Sequence, residues 1–404
     1  MKYPKLGIIK EEKVPVDRRV PVTPHQAFTL KHNFPGIEVL VQSSEIRCYQ
    51  DEEYRNQGIA VHDDVTDADI LLGVKEVPIS SLIEGKTYLF FSHTIKKQTY
   101  NRALLQALLS KKIRMIDYEC LVDDLGQRLI GFGRWAGIVG AYNGLWTYGV
   151  RTGAYQLRRA NECYDLADLL TELPKIRLAS IKIVVTGGGR VAKGALEILS
   201  AAGIEEVSPS DFLSKNFAYP VFTRLDNGDY NRHKEGLTFR NEEFFATPEE
   251  FEGDFLKYTL VADLLIAAAY WDPRAPKLFE ESDMSKPAFN IKVIADITCD
   301  IDGSIPSTKR PSTIADPVYD YDPLSGSTLP PFSDSRHINV MAIDNLPCEL
   351  PRDASHDFGQ MLIQEIMPSL IGNDDNGIIE RATICQNGYL MPRFAYLQDF
   401  VNGK

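Results

Sequence analysis

The chain has no apolar run approaching the about 18 residues of a membrane span, and Lys10, Glu11, Glu12 and Lys13 stand where a signal peptide would carry its apolar core. A cytoplasmic protein with no membrane partner is the expectation. Cysteine is sparse, six in 404 residues, at 48, 120, 163, 299, 348 and 385. None falls in a Cys-x-x-Cys or compact Cys/His set, so neither a zinc site nor a disulfide framework is indicated; no metal is expected, and the thiols read as buried and free. Positive charge is also short, with 44 Lys and Arg against 56 Asp and Glu and a formal charge of −12. That balance argues against nucleic acid, whose surface selects basic patches. Any anionic ligand must be held by locally placed cations. No internal repeat is visible.

What is present is the composition of an ordinary globular protein, 44% hydrophobic and 25% charged, in a chain too long for one core. Three short apolar runs in its first third each stop at a residue able to handle protons. Ile70–Val74 stops at Lys75, Tyr88–Ser92 at His93, and Ile113–Ile116 at Asp117 and Glu119. Such runs, alternating with helix-like segments, read as parallel strands buried on both faces, and open α/β sheets bind ligands just beyond the carboxyl ends of their strands. Burial lowers a lysine pKa toward that of a base, whereas Glu76 beside it would hold Lys75 charged in an ordinary ion pair. His93 alone of the seven histidines directly ends a strong strand, and its unperturbed pKa suits proton transfer near neutrality. Arg18 and Arg19 follow the first strand, Leu6–Ile9, at the same edge, where a guanidinium can grip a carboxylate by two hydrogen bonds. Glu119 either tunes the lysine and histidine by charge or makes a salt bridge.

Thr23-Pro24 opens a helix, and Gly36 and Gly58 mark helix ends. From Gly131 an apolar stretch carries Gly133, Gly137, Gly140 and Gly144, read as a long helix wedged between two domains with close backbone approach. Ile181–Val185 then starts a second domain as a strand, followed by Gly187-Gly188-Gly189-Arg190-Val191-Ala192 and a helix ending near Gly203. In a dinucleotide site Gly187 would make the tight turn, Gly189 would admit the pyrophosphate, Ala192 would sit where helix meets strand, and Arg190 would add charge. The residue that would select NAD or NADP is sought about 20 positions on, among Glu205, Glu206, Ser208, Ser210 and Asp211, and the choice stays open. Further buried strands are expected at 262–267, 293–297 and 339–343. Residues 208–258 read as loops and short helices, 317–335 as a long surface loop, and Asp353 as the cap of a last major helix to about Leu370. The fold expected is α/β, two Rossmann-like doubly wound parallel-sheet domains with an interdomain cleft. Residues 1–130 plus about 346–404 would form the substrate domain, and 131–345 the dinucleotide domain.

Gly73-Val74-Lys75-Glu76-Val77-Pro78, Phe90-Phe91-Ser92-His93-Thr94-Ile95-Lys96, Ile116-Asp117-Tyr118-Glu119, and Gly131-Phe132-Gly133 with Ala136-Gly137 closely resemble the lysine-ketoglutarate reductase and saccharopine dehydrogenase (lysine-forming) family. Tyr270-Trp271-Asp272-Pro273-Arg274-Ala275-Pro276, Ala295–Asp300 with Gly303-Ser304-Ile305, Ile343-Asp344-Asn345-Leu346-Pro347 and Leu350–Ser355 extend the match to nearly the whole chain except about 205–258. Alanine dehydrogenase and the soluble domain of transhydrogenase are more distant relatives. The resemblance implies a nicotinamide cofactor, NAD or NADP, and lysine, 2-oxoglutarate and saccharopine as substrates. It places a proton-accepting lysine on Lys75, an acid/base histidine on His93, and substrate contacts on Arg19, Glu76, Glu119 and Phe132. Cofactor contacts fall on Arg128, Tyr270, Ala342, Ile343 and Asp344 besides the glycine turn. Some family members are fused to a second, saccharopine-oxidising domain, which these 404 residues do not contain. An alanine or opine-type dehydrogenase, a transhydrogenase-like cofactor-binding subunit and a nucleotide sensor are the alternatives, and homo-oligomerisation is left open.

Overall fold

A computed structural model describes residues 3–404. Two compact units divide the chain, one running to Phe132 and resuming over Pro351–Lys404, the other Gly133–Leu350. Each is built on an eight-stranded sheet with helices.

In the first unit six strands run parallel, in the spatial order Ala60–His62, Val39–Gln42, Leu6–Ile8, Ile70–Leu72, Thr87–Phe90, Arg114–Asp117. The central ones are buried on both faces, with Leu6, Leu71, Leu72, Leu89 and Phe90 at 0% exposure, which is why they read as unbroken apolar runs. Successive strands build outward from Leu6–Ile8 in one direction, and from Ile70–Leu72 the order grows the other way. The crevice where ligands bind in such sheets therefore opens past Ile8 and Leu72. Thr383–Gln386 adds antiparallel to Arg114–Asp117, and Tyr389–Leu390 follows it. Thr23 and Gln26 form a reciprocal capping box for the helix Pro24–Asn33, with Pro24 at its first position.

The second unit repeats the plan. Glu205–Glu206, Val221–Leu225, Lys182–Thr186, Leu264–Ala267, Val293–Asp296 and Ile338–Met341 are parallel, and Val318–Asp322 and Ser327–Leu329 close one edge antiparallel. The glycine-dotted segment is one helix, Gly133–Thr152, packed within this unit. A methyl built on Gly137 would lie 1.8 Å from the Val191 carbonyl oxygen, and one on Gly194 would lie 2.0 Å from that of Arg134. Helix backbones cross in contact there, which only glycine permits. Gly140 and Gly144 seat the same helix on Ile297 and Ala295 of the sheet.

Two segments depart from expectation. Residues 208–258 contain the central strand Val221–Leu225 and a hairpin of Asn231–His233 with Phe251–Gly253. Residues 317–335 contain the edge hairpin, whose Tyr319, Asp320 and Tyr321 are fully buried. Asp353 lies inside the first turn of the helix Pro351–Met361 rather than capping it. All six cysteines are free thiols, four buried and two half-buried. Among the described residues no helix is long and apolar enough to cross a membrane.

Candidate active site

Lys75 is half-buried, three residues past the end of the Ile70–Leu72 strand. Burial holds its ammonium below the usual lysine range, with the Arg19 and Lys13 charges adding to the effect and Asp17 and Glu76 opposing it. The expected ordinary pair with Glu76 does not form, because Glu76 bonds Lys13 at 2.7 Å. A lysine held in this way gives up its proton more readily than a carboxylate-paired one, the direction a proton-accepting role needs.

His93 follows the next strand in the left-handed conformation, φ 54°, at the head of the turn Thr94–Lys96. Its Nδ1 lies 3.0 Å from Glu119 Oε2, and its Nε2 faces Glu76 Oε1 at 3.9 Å. Burial works to raise the Glu119 carboxyl, but the His93 hydrogen bond and the Lys96 and Arg128 charges hold it down at about 2. Of the two roles the sequence offers for this carboxylate, the ion-paired one is present, to His93, Lys96 and Arg128. Arg128 donates to the other Glu119 oxygen at 3.1 Å, which puts this expected cofactor contact among the proton-handling groups. Asp117, fully buried, fixes the row from beneath by accepting from Ser92 N at 3.1 Å, Ser92 Oγ, and Glu119 N at 2.7 Å.

Arg19 is buried at 2% exposure, whereas the charge of Arg18 lies at the surface. Its Nε and Nη2 meet the Asp17 carboxylate at 3.0 and 2.6 Å, and its guanidinium lies 4.1 Å over the Phe132 ring. Phe132 in turn stacks on Phe358, centroids 4.5 Å apart. One edge of the guanidinium is thereby committed, and its plane is fixed before any carboxylate arrives.

The second unit carries the glycine turn. Gly187, at φ 100°, runs so close to the Leu264–Ala267 strand end that a methyl on it would lie 3.0 Å from the Ala268 oxygen. Gly189 caps the helix Arg190–Ala201, Arg190 is its first residue, and Ala192 is buried in it. Among the described residues, its chain neighbours aside, no atom lies within 4 Å of where a Gly189 methyl would be, so the helix amino terminus has room for a ligand. Beside it lies a hollow of about 180 Å³ walled by Thr186, Asn227, Phe244, Ala269, Tyr270 and Trp271 among others. Ala342, Ile343 and Asp344 follow Ile338–Met341 at the same edge of the sheet.

The sequence leaves the ribose contact open among Glu205, Glu206, Ser208, Ser210 and Asp211. Glu205 and Glu206 form the outermost strand and Asp211 lies in the helix Pro209–Ser214, so none of them ends the strand beside the glycine turn. That strand is Val221–Leu225, and it delivers Arg224 and Asp226, ion-paired to each other. Asp226 Oδ1 and Arg224 Nη1 lie 2.8 and 3.2 Å from where a Gly188 methyl would stand.

Residues 7–139 match the family model described as alanine dehydrogenase/PNT, N-terminal domain. The chain is 30% identical over 449 residues to mitochondrial alpha-aminoadipic semialdehyde synthase of Rattus norvegicus, covering 98% of this chain and 48% of that protein, so it spans about half the length of that relative. It is 27% identical to the saccharopine dehydrogenase (NAD(+), L-lysine-forming) of Emericella nidulans, over 90% of both chains. Its fold superposes on an L-alanine dehydrogenase with a TM-score of 0.63 at 16% identity, covering 99% of each chain, and on the Sinorhizobium meliloti transhydrogenase with a TM-score of 0.60 at 16% identity, covering 96% and 100%. The chain is thus similar to saccharopine dehydrogenases and to about half of the alpha-aminoadipic semialdehyde synthases, and it has the fold seen in alanine dehydrogenase.

Proposed function

We propose that this chain is an NAD-dependent oxidoreductase that interconverts saccharopine with lysine and 2-oxoglutarate through an imine. The observation that carries the reading is Lys75, a half-buried amine with no carboxylate in ion-pair reach among the described residues, in one sheet-edge row with His93–Glu119 and Arg19. Amine oxidation needs a neutral base, and an anionic substrate in an acidic protein needs a prepositioned cation.

The chain's second unit fits a dinucleotide: the Gly189 end is clear, Gly187 closes the turn and the aromatic hollow suits a flat base. In this reading residues 131–345 serve the cofactor, and 1–130 with about 346–404 serve the substrate. Gly187, Gly189 and Arg190 would hold the pyrophosphate, Ala192 brings the helix close to the sheet, and Tyr270, Ala342, Ile343 and Asp344 complete the contacts within this unit. Asp226 favours NAD, because a carboxylate at this strand end accepts from ribose hydroxyls and repels a 2′-phosphate. A nicotinamide held by these residues would supply the hydride chemistry at the glutamyl Cα. Lys75 Nζ takes the proton of the secondary amine, and His93 then moves protons to and from the water that opens the imine, releasing lysine. Glu119 holds the His93 ring, Glu76 faces its other nitrogen, and Arg19, stacked on Phe132, grips a substrate carboxylate.

The test is oxidation of NADH and of NADPH by the purified chain with lysine plus 2-oxoglutarate and, separately, with pyruvate plus ammonium. Turnover of the lysine pair with NADH supports the proposal. Turnover only of pyruvate and ammonium moves the chain to alanine dehydrogenase chemistry, the reading favoured by the fold match alone.

A further inference from the structure

The first strand and Ile70–Leu72 pair as far as Ile8 and Leu72, and a last bond runs from Ile9 N to Leu72 O at 3.0 Å. Beyond it the two chains part. The next free donors on the second chain, the N–H groups of Val74 and Lys75, give their hydrogen bonds to the two oxygens of Glu11, at 2.6 and 2.9 Å. A side chain thus replaces the strand at the point where the crevice opens. Glu11 is 7% exposed, and Gly73 makes room for it, since a methyl there would lie 3.4 Å from Glu11 Oε1 and 2.9 Å from Ile9 Cδ1.

Burial, reinforced by Asp17, pushes the Glu11 carboxyl up to about 8, so retaining an acid here is costly. Packing alone does not call for it. The Val74 and Lys75 hydrogen bonds and the Arg19 charge favour the ionised form, which offers two acceptor oxygens to two successive donors as an amide, with one oxygen and one N–H₂, does not. Arg19, Lys13 and Asp17 from the loop after the first strand, and the adjacent Glu76, act on the Lys75 charge; Glu11 acts on its backbone.

We propose that Glu11 is the positioning residue of the Lys75 site, stapling the parted strands so that the lysine leaves the sheet at a fixed point in the crevice. The proposal rests on the reading of Lys75 as the base. Its test is the full-length Glu11→Gln variant, followed by competitive acetylation of lysines with acetic anhydride across pH, read residue by residue by mass spectrometry, alongside steady-state kinetics. In the parent, Lys75 reacts at lower pH than surface lysines. In Glu11→Gln one main-chain N–H meets an amide N–H₂, the segment shifts, and Lys75 reacts as an ordinary lysine. Turnover then falls about tenfold or more while the KM for nucleotide holds. Glu11→Asp, which keeps both oxygens on a shorter stem, falls between the two and serves if the glutamine variant does not fold. Unchanged Lys75 labelling in folded variants overturns the proposal. Because labelling needs no substrate, it decides the role of Glu11 even if lysine and 2-oxoglutarate prove not to be turned over.

Discussion

Glu76 gives its carboxylate to Lys13 and not to Lys75, its neighbour in the chain. With Glu76 so engaged, burial and the Arg19 and Lys13 charges leave Lys75 below the usual lysine range, which suits the proposed role as base. In the amine-oxidising direction Lys75 must be neutral, so kcat/KM rises with pH through a limb lying below the ordinary lysine pKa. Lys13→Met removes a cation that lowers that pKa and frees a carboxylate that raises it. Both effects have one sign, so the limb moves to higher pH and kcat/KM at neutrality falls about three- to tenfold. A pH–rate profile of the two proteins checks this, and an unmoved limb would assign it to another group.

Replacing Lys75 by Met keeps the stem and removes the amine. Turnover should fall about 10²- to 10⁴-fold, while nucleotide affinity, followed by fluorescence titration, stays within about twofold.

Asp226→Ser should release Arg224 from its ion pair at the glycine turn. The freed guanidinium then accepts a 2′-phosphate, and the ratio of kcat/KM for NADP over NAD rises about 10- to 100-fold, the effect of roughly 1.4–2.8 kcal/mol. Arg224→Ala in the same background should reverse the gain. A gain that survives the second change would place phosphate recognition elsewhere.

Gly137→Ala drives a methyl into backbone at 1.8 Å, where no rotamer change relieves it. Overpacking typically costs 1–3 kcal/mol, and the upper end applies. At about 2–4 °C per kcal/mol, Tm should drop by roughly 6–12 °C in calorimetry. Gly153→Ala, a position with nothing within 4 Å but φ at 66°, should cost far less.

The strand-end residues were legible because a strand buried on both faces shows as an apolar run, and the first side chain that can titrate marks where burial stops. Val221–Leu225 escaped the same logic, since Thr223 and Arg224 interrupt its run. The edge strand Glu205–Glu206 and the helix Pro209–Ser214 also lengthen the path to it beyond the usual spacing. The 317–335 hairpin hid for a different reason. Asp320 marks a loop by its type, yet it is buried and satisfied by Phe332 N, Ser333 N and Asn339. Lys13 with Glu76, and Glu11 with Val74, are contacts across more than sixty positions. Nothing in a run of four charged residues tells which one turns inward.

Thr383–Gln386 completes the first sheet by lying against the strand that ends in Asp117. During synthesis that strand stays an open edge until residue 386 has been made, while everything in the Gly133–Leu350 unit has already emerged. Units that emerge complete can fold while the rest is still arriving. The sheet of the Gly133–Leu350 unit is therefore free to mature first, and the row anchored on Asp117 waits for the strand Thr383–Gln386.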